Sequence, residues 1–269
     1  MTLPVTLIAA LPMYDWPEER SRVDRRWAEL RGHLRAAGIA APDGLVRRNG
    51  DMPAVPGGIR APDGTLLAPD PATLPAKELD LDVLWRHPAL LIAQACWGPM
   101  AHGLAAHVTV IGPGRYDGVA GGSGTSYTSA VVARRATGPA VAPPPDGRAI
   151  LPLAVLRGRV LAYNAPHSLS GFLALRDDLH QAGAGPDLFS ARVETGAHRD
   201  SIRAVAEGRA DVAAIDCRSW ALALRHEPAA AQIHPVGWTA RRPGLPFIAS
   251  GRLDPETGQV LQRVIASLF

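Results

Sequence analysis

The sequence contains very little lysine, few aromatic residues and no cluster of positive charge. Lys77 is the only lysine among 28 basic residues, and the arginines are scattered, with no run of five or more. Aromatic residues make up 5% of the chain and do not interleave with the basic ones. A nucleic-acid groove or an anionic membrane surface would require such clustering. The net charge of +3 therefore does not indicate a nucleic-acid partner.

Cysteine spacing and the length of hydrophobic runs exclude two further classes. Cys96 and Cys217 lie far apart and form neither a Cys-x-x-Cys pair nor a His/Cys cluster with metal-binding spacing. The sequence thus predicts two buried thiols, with no metal and no other cofactor. No apolar stretch reaches the roughly 18 residues that a membrane-spanning helix needs. We therefore expect no membrane span.

The amino terminus is apolar but does not have the pattern of a signal peptide. Residues 1–10 lack a basic region and run directly into Tyr14-Asp15-Trp16-Pro17, where a small-residue cleavage site would be expected. We interpret residues 5–11 as a first strand. The missing export signal favours a cytoplasmic location, unless a leader has been removed.

Strand-length hydrophobic runs alternate with helix-period segments, which predicts an α/β fold with parallel βαβ units. Strands are expected at residues 5–11, 90–95, 108–111, 129–133, 159–164, 192–195 and 211–215. Helices are expected from Pro17 to Gly38, at 78–86, from Ser168, at 198–207, at 219–225 and from Asp254 with Pro255 in its first turn.

Two segments lack any periodicity. Residues 49–76 are rich in Pro, Gly, Asp and Ala, which predicts a long surface loop or flap instead of a core element. Residues 137–147 contain three consecutive prolines and indicate a stiff connector.

Three short polar segments follow strands in the second half, at residues 166–171, 196–198 and 216–217. Ligands of open α/β sheets bind beyond the carboxyl ends of the strands. At Ser168-Leu169-Ser170-Gly171 a strand turns into a helix, where free N–H groups, the helix dipole and two hydroxyls favour an anion. Gly171 would let a ligand approach the backbone closely. Alternatively, Ser168 is simply a helix N-cap.

Other candidate residues have two interpretations each. His198 could donate to an anionic oxygen or be a solvated residue at a helix start. Asp216 could accept from a ligand hydroxyl or cap the following helix. Tyr14 and Gln94, each near the end of a strand in the first half, could contact the ligand or serve packing. The sequence has no Gly-x-Ser-x-Gly, Walker A, Gly-x-Gly-x-x-Gly or His-Glu-x-x-His motif, so no catalytic constellation is predicted.

Three segments taken together resemble a known family. They are residues 163–172 (YNAPHSLSGF), 194–198 (ETGAH) and 208–216 (GRADVAAID). In order and spacing they are similar to the phosphate/phosphite/phosphonate-binding proteins of ABC transporters. The resemblance is weaker over residues 7–16 and 85–97 and does not extend to residues 49–76.

The resemblance implies a type II periplasmic-binding-protein fold, with two α/β lobes, mixed but mostly parallel sheets and two hinge strands that let the lobes close on the ligand. Lobe one would comprise residues 1–126 and 240–269, and lobe two residues 127–239, with crossings near 127–132 and 237–244. It also implies that Ser168, Ser170 and the Gly171 backbone hold an oxyanion. His198 and Asp216 would complete that side, with Tyr14 facing them from lobe one.

The function that follows is capture of a small oxyanion such as phosphate, phosphite or phosphonate, with an ABC permease as the partner and the periplasm as the location. If Asp216 faces the anion, a ligand that carries a proton would be preferred. Two alternatives stay open. One is an enzyme on the same two-lobe fold that uses His198 and Asp216 as acid and base. The other is a cytoplasmic ligand sensor.

Overall fold

A computed structural model describes residues 6–268, and these residues form fourteen strands and eight α-helices. The strands are β1 (Ile8–Ala10), β2 (Ile59–Arg60), β3 (Leu66–Ala68), β4 (Leu90–Gln94), β5 (Val108–Pro113), β6 (Gly122–Ser123), β7 (Ser126–Tyr127), β8 (Ser129–Arg134), β9 (Val160–Tyr163), β10 (Ala191–Glu194), β11 (Val212–Asp216), β12 (Ile233–Trp238), β13 (Arg242–Pro243) and β14 (Pro246–Ser250). The helices are α1 (Arg20–Ala36), α2 (Leu81–Arg86), α3 (Trp97–Ala101), α4 (Leu153–Leu156), α5 (Ala174–Gln181), α6 (His198–Ala206), α7 (Cys217–His226) and α8 (Pro255–Leu268).

The chain divides into two compact units. The first combines the residues up to Gly114 with those from Leu245, and the second is Arg115–Gly244. These borders differ from the expected 126/127 and 239/240 because the segment after Gly114 is bonded within the second unit. The Tyr116 ring stacks on that of Tyr127 with 5.3 Å between centroids, and the Gly244 amide donates to the Thr125 carbonyl. The lobe assignment itself stays a prediction.

The first unit is built on a four-stranded sheet in the order β1-β4-β14-β5. Helix α1 buries Trp27, Leu30 and Leu34 in a core that also contains Leu261 and Ile265 of α8. These residues recur at helical spacing, which is why the sequence predicted both helices. Asp254 caps α8 as expected, since its carboxylate accepts from the Thr257 amide at 2.8 Å. Strand β1 confirms the described part of the first predicted strand, while Val5 lies outside the described residues.

The segment 49–76 is not a flap. It contains the antiparallel pair β2–β3, and its side chains Met52, Ile59 and Ala68 are buried in the core of the first unit. Asn49 fixes the segment to the chain beyond it, donating to the Pro75 carbonyl at 3.0 Å and accepting from the Asp80 amide at 2.8 Å. The prediction was wrong because three widely spaced apolar residues anchor the segment without producing any periodicity.

The second unit is built on a five-stranded sheet in the order β10-β9-β11-β8-β12. Strands β9, β10 and β11 are parallel, but β8 runs antiparallel to both β11 and β12. Among the strands described in the first unit, β1 and β4 are the only parallel pair. The sheets are mixed as expected, but they are not mostly parallel. Within these two sheets, the strands nearest in sequence to the two unit borders are β5, β8, β12 and β14, and each pairs antiparallel with a neighbour because no crossover helix returns the chain in the same direction there.

Both cysteines are buried, as the sequence predicted, and neither forms a disulfide. Within residues 6–268, no helix combines the length and the hydropathy needed to cross a membrane.

A buried ion pair holds the last segment of the second unit against α5. The Asp178 carboxylate is 3% exposed, accepts from the Ala240 amide at 2.7 Å and pairs with the Arg242 guanidinium. Its neighbour Asp177 pairs with Arg176 on the surface, where both side chains are about half exposed.

We predict that Asp178→Ala destabilises the protein by about 3 kcal/mol, because it removes the acceptor of the half-buried Ala240 amide and leaves the Arg242 guanidinium without its carboxylate partner. The matched change Asp177→Ala should cost less than about 1 kcal/mol, since exposed ion pairs contribute little. Urea denaturation monitored by tryptophan fluorescence measures both. Equal losses in the two variants would contradict the assigned role of Asp178.

Candidate functional site

The polar segments of the second half meet at one edge of the five-stranded sheet. Strands β9, β10 and β11 are parallel, so their carboxyl ends lie at the same edge, and the helices that follow them begin there. Strand β8 runs the other way, and its first residue, Ser129, is paired with Asp216 at the end of β11. The structure therefore brings Ser168, Ser170, His198 and Asp216 to a single edge of the second unit.

Ser168 is the N-cap of the helix that follows β9. Its Oγ accepts from the Gly171 amide at 3.1 Å, and its carbonyl accepts from the Phe172 and Leu173 amides. The first turn, Leu169–Leu173, is π-helical and continues into α5. From the sequence, we expect the Gly171 amide to hold an oxyanion. In the structure this amide donates to Ser168 Oγ instead. The Ser168 hydroxyl keeps its own hydrogen to donate.

Ser170 and His198 form a direct hydrogen bond between two helix starts. Ser170 Oγ lies 2.9 Å from His198 Nε2, and His198 is the first residue of α6. Burial lowers the pKa of His198, while the charge of Asp216 and the Ala214 carbonyl act in the opposite direction. The imidazole is therefore neutral at pH 7, and one of its two ring nitrogens can donate.

Position 171 has no room for a side chain larger than that of glycine, because Asn164 occupies the adjacent space. A Cβ at Gly171 would lie 1.7 Å from Asn164 Oδ1 and 3.2 Å from His198 Cε1. The sequence interpretation assigned this space to an approaching ligand, but the structure fills it with protein. Asn164 Oδ1 itself is buried and has no hydrogen-bond partner among the described residues.

Asp216 caps α7. One of its carboxylate oxygens accepts from the Arg218 amide at 2.8 Å and from the Ser219 amide at 2.9 Å, and the residue is 2% exposed. The capping interpretation of Asp216 is thus confirmed, while a direct contact with a ligand stays a prediction.

Tyr14 and Gln94 both lie in the first unit. Tyr14 ends a short 3₁₀ turn after β1, and Gln94 is the last residue of β4, which is parallel to β1. Both are half-buried and lie at the same edge of the four-stranded sheet. Gln94 Oε1 is buried and has no hydrogen-bond partner among the described residues. Their role as ligand contacts stays a prediction.

Two residues at the carboxyl edge of the five-stranded sheet, Ser129 and Asn164, were missed by the sequence interpretation. Ser129 Oγ is buried and, like Asn164 Oδ1, has no hydrogen-bond partner within the described part of the chain. The Ser129 amide donates to Thr239 Oγ1 at 2.8 Å. Asn164 could have been noticed as the polar residue that ends an apolar strand. Ser129 could not, because its place beside Asp216 depends on the antiparallel pairing of distant strands.

The contact between Gly171 and Asn164 gives a stability prediction. Gly171→Ala should destabilise the protein by about 1–3 kcal/mol, because the new methyl group overlaps the Asn164 side chain. Adding Asn164→Ala should recover most of that loss, whereas Gly185→Ala, at a position with open space, should have little effect. Urea denaturation of the single and double variants tests this. Additive losses in the double variant would show that Asn164 is not the obstacle.

The lowered pKa of His198 gives a pH prediction. As the pH falls below about 6.5, the unfolded chain takes up a proton before the buried imidazole does, so stability is lost. Above that pH the contribution is fully present. We expect a smaller loss of unfolding free energy between pH 7.5 and 5.5 in His198→Gln than in the wild type, measured by urea denaturation. The two proteins are compared because burial also lowers the pKa of His87, which contributes the same kind of stability loss to both. An identical loss in both proteins would refute the assignment.

Comparison with known proteins agrees with this architecture. Residues 103–268, more than half of the chain, match the model of a family described as the periplasmic substrate-binding protein of phosphonate ABC transporters. No curated protein sequence matches. Three of the solved structures that cover at least 96% of the chain have identities of 14–16%, which means that they bear on the fold alone.

A protein from Prochlorococcus marinus in complex with methylphosphonate has a TM-score of 0.63 at 16% identity, over 99% of this chain and 84% of the other. A chloride-bound protein from Xanthomonas citri has a TM-score of 0.57 at 16% identity, over 96% and 82%. A binding protein of a phosphonate ABC transporter from Pseudomonas aeruginosa has a TM-score of 0.56 at 14% identity, over 96% and 72%. The fold is that of the type II periplasmic binding proteins, and the chain belongs to the family of substrate-binding proteins of phosphonate ABC transporters.

Proposed function

We propose that this protein captures a small phosphorus oxyanion, a phosphonate, phosphite or phosphate, at the carboxyl edge of the five-stranded sheet and delivers it to an ABC permease. The hydrogen bond between Ser170 and His198 is the observation that carries the proposal. It joins a hydroxyl and an imidazole from two different helix starts, so an anion bound there would contact both segments.

Family membership supports the general function. Members are solute-binding proteins of transporters, which confirms the expectation that this chain is not an enzyme. The alternative with His198 and Asp216 as acid and base is also weakened by geometry, because Asp216 is held by two α7 amides. The family is periplasmic, and we propose the same location for this protein.

The proposed contacts are neutral hydrogen-bond donors. Ser168 carries a hydroxyl hydrogen that can turn towards an anion. Ser170 and the neutral His198 share one hydrogen bond, so this pair has one further hydrogen to offer, which is the Ser170 hydroxyl hydrogen when His198 Nε2–H donates to Ser170 Oγ. The positive end of the helix that begins at Leu169 adds to the attraction. Since Asp216 raises the pKa of His198, its charge acts at the site, and a ligand that carries a proton should be preferred over one that carries none.

Calorimetry with methylphosphonate tests the site. We expect Ser170→Ala and His198→Gln each to weaken binding about tenfold or more, the usual effect of losing a hydrogen bond to a charged group. Because the two residues share one hydrogen bond, the double variant should lose less than the sum of the single losses.

The matched control is Ser190→Ala, an exposed serine of the same unit, which should bind as the wild type does. Sulfate at pH 7 should bind more weakly than methylphosphonate. Wild-type affinity for methylphosphonate in both single site variants would overturn the assignment. Mass spectrometry of protein purified without denaturation would identify the ligand that it carries naturally.

A further inference from the structure

We infer a second ligand site in the second unit, a cavity that fits a small organic acid with an apolar body. The cavity has a volume of about 490 Å³ and lies between α5, the neighbouring strands β9 and β10 and the loop that precedes β10. This volume is within the range of about 300–1,000 Å³ that is usual for small-molecule sites. It lies outside the proposed oxyanion site, because none of Ser168, Ser170, His198 or Asp216 lines it.

The body of the cavity is apolar and partly aromatic. Its apolar lining residues are Leu161, Phe172, Leu175, Leu179, Ala184 and Phe189. Leu175 and Leu179 are the core-facing residues of α5, and Phe172 packs its ring against Tyr163 with 5.0 Å between centroids. Such a surface favours an apolar or aromatic group, which gains by leaving water.

Arg192 supplies the charge at the rim. Its guanidinium lies over the Phe172 ring, 5.9 Å from the centroid, and it lines the cavity. The lining also contains a second arginine and one carboxylate, Arg176 and Asp177, which are paired with each other. Within residues 6–268, no carboxylate is within ion-pairing distance of Arg192. A guanidinium held over a ring at the mouth of an apolar cavity matches a carboxylate or sulfonate on an apolar body.

Strand pairing fixes this geometry. Arg192 is in register with Leu161 on the adjacent strand β9, and both side chains line the cavity. Since β10 is an edge strand, Arg192 also remains accessible from solvent. The charged group therefore lies at the entrance and the apolar lining lies further in. An acid would place its anionic group outward and its body inward.

The fluorescent probe 8-anilinonaphthalene-1-sulfonate, an aromatic body with one sulfonate, tests the site. We expect saturable binding of one probe per chain. Arg192→Gln should weaken it about tenfold or more. Ala184→Phe should abolish it by filling the cavity. The control Arg157→Gln, which removes an exposed charge outside the cavity, should leave it unchanged.

The neutral probe N-phenyl-1-naphthylamine, which lacks the sulfonate, separates charge from hydrophobicity. It should bind the wild type more weakly than the sulfonate does, and Arg192→Gln should not change its affinity. Circular dichroism checks that each variant is folded. Absence of saturable binding, or wild-type sulfonate affinity in folded Arg192→Gln and Ala184→Phe, would overturn the inference. Equal affinity of the two probes would also overturn it and would indicate a purely apolar docking surface instead.

Discussion

The start of every α-helix leaves backbone N–H groups without an intrahelical acceptor, and the structure of the candidate site depends on how these groups are satisfied. Two of the helices that begin at the carboxyl edge of the second sheet are capped by their own side chains. Ser168 accepts from Gly171, and Asp216 accepts from the first amides of α7. Backbone amides that donate to these caps are not available to a ligand, which is why the side chains of Ser170 and His198 take the central place in the proposed site.

The same constraint explains how far the sequence could predict the site. A polar residue between an apolar strand and a helix is a local signal, so Ser168 and Asp216 were identified together with their capping interpretation. Ser129 gave no such signal, and the position of Asn164 at the end of an apolar strand did not reveal what its side chain contacts. The place of Ser129 beside Asp216 arises from the antiparallel pairing of β8 with β11, between residues far apart in sequence. The role of Asn164 depends on the missing side chain of Gly171, a packing relation between two elements.

The fold shows a similar division between local and long-range information. Helices α1 and α8 were predictable because each repeats its buried residues with helical spacing and carries recognisable boundary residues. The strand directions were not, since parallel pairing was inferred from the alternation of strands and helices. That alternation fails next to the unit borders, where β8 and β12 pair antiparallel. Residues 49–76 were mistaken for a flap for a related reason, because Met52, Ile59 and Ala68 are too widely spaced to form a pattern.

The distribution of arginine in the second unit indicates which kind of hydrogen-bond donor the proposed oxyanion site would use. Arg134 pairs with Asp211, Arg242 with Asp178, and Arg199 turns towards Glu227 although it directly follows His198. These cations hold the unit together, so the edge group of Ser168, Ser170 and His198 offers hydroxyls, a neutral imidazole and helix dipoles. Neutral donors bind an oxyanion through direction and number of hydrogen bonds instead of formal charge. The proposed site would therefore distinguish anions by their geometry and their protons, and it would release them without separating an ion pair, which suits a protein that hands its ligand on.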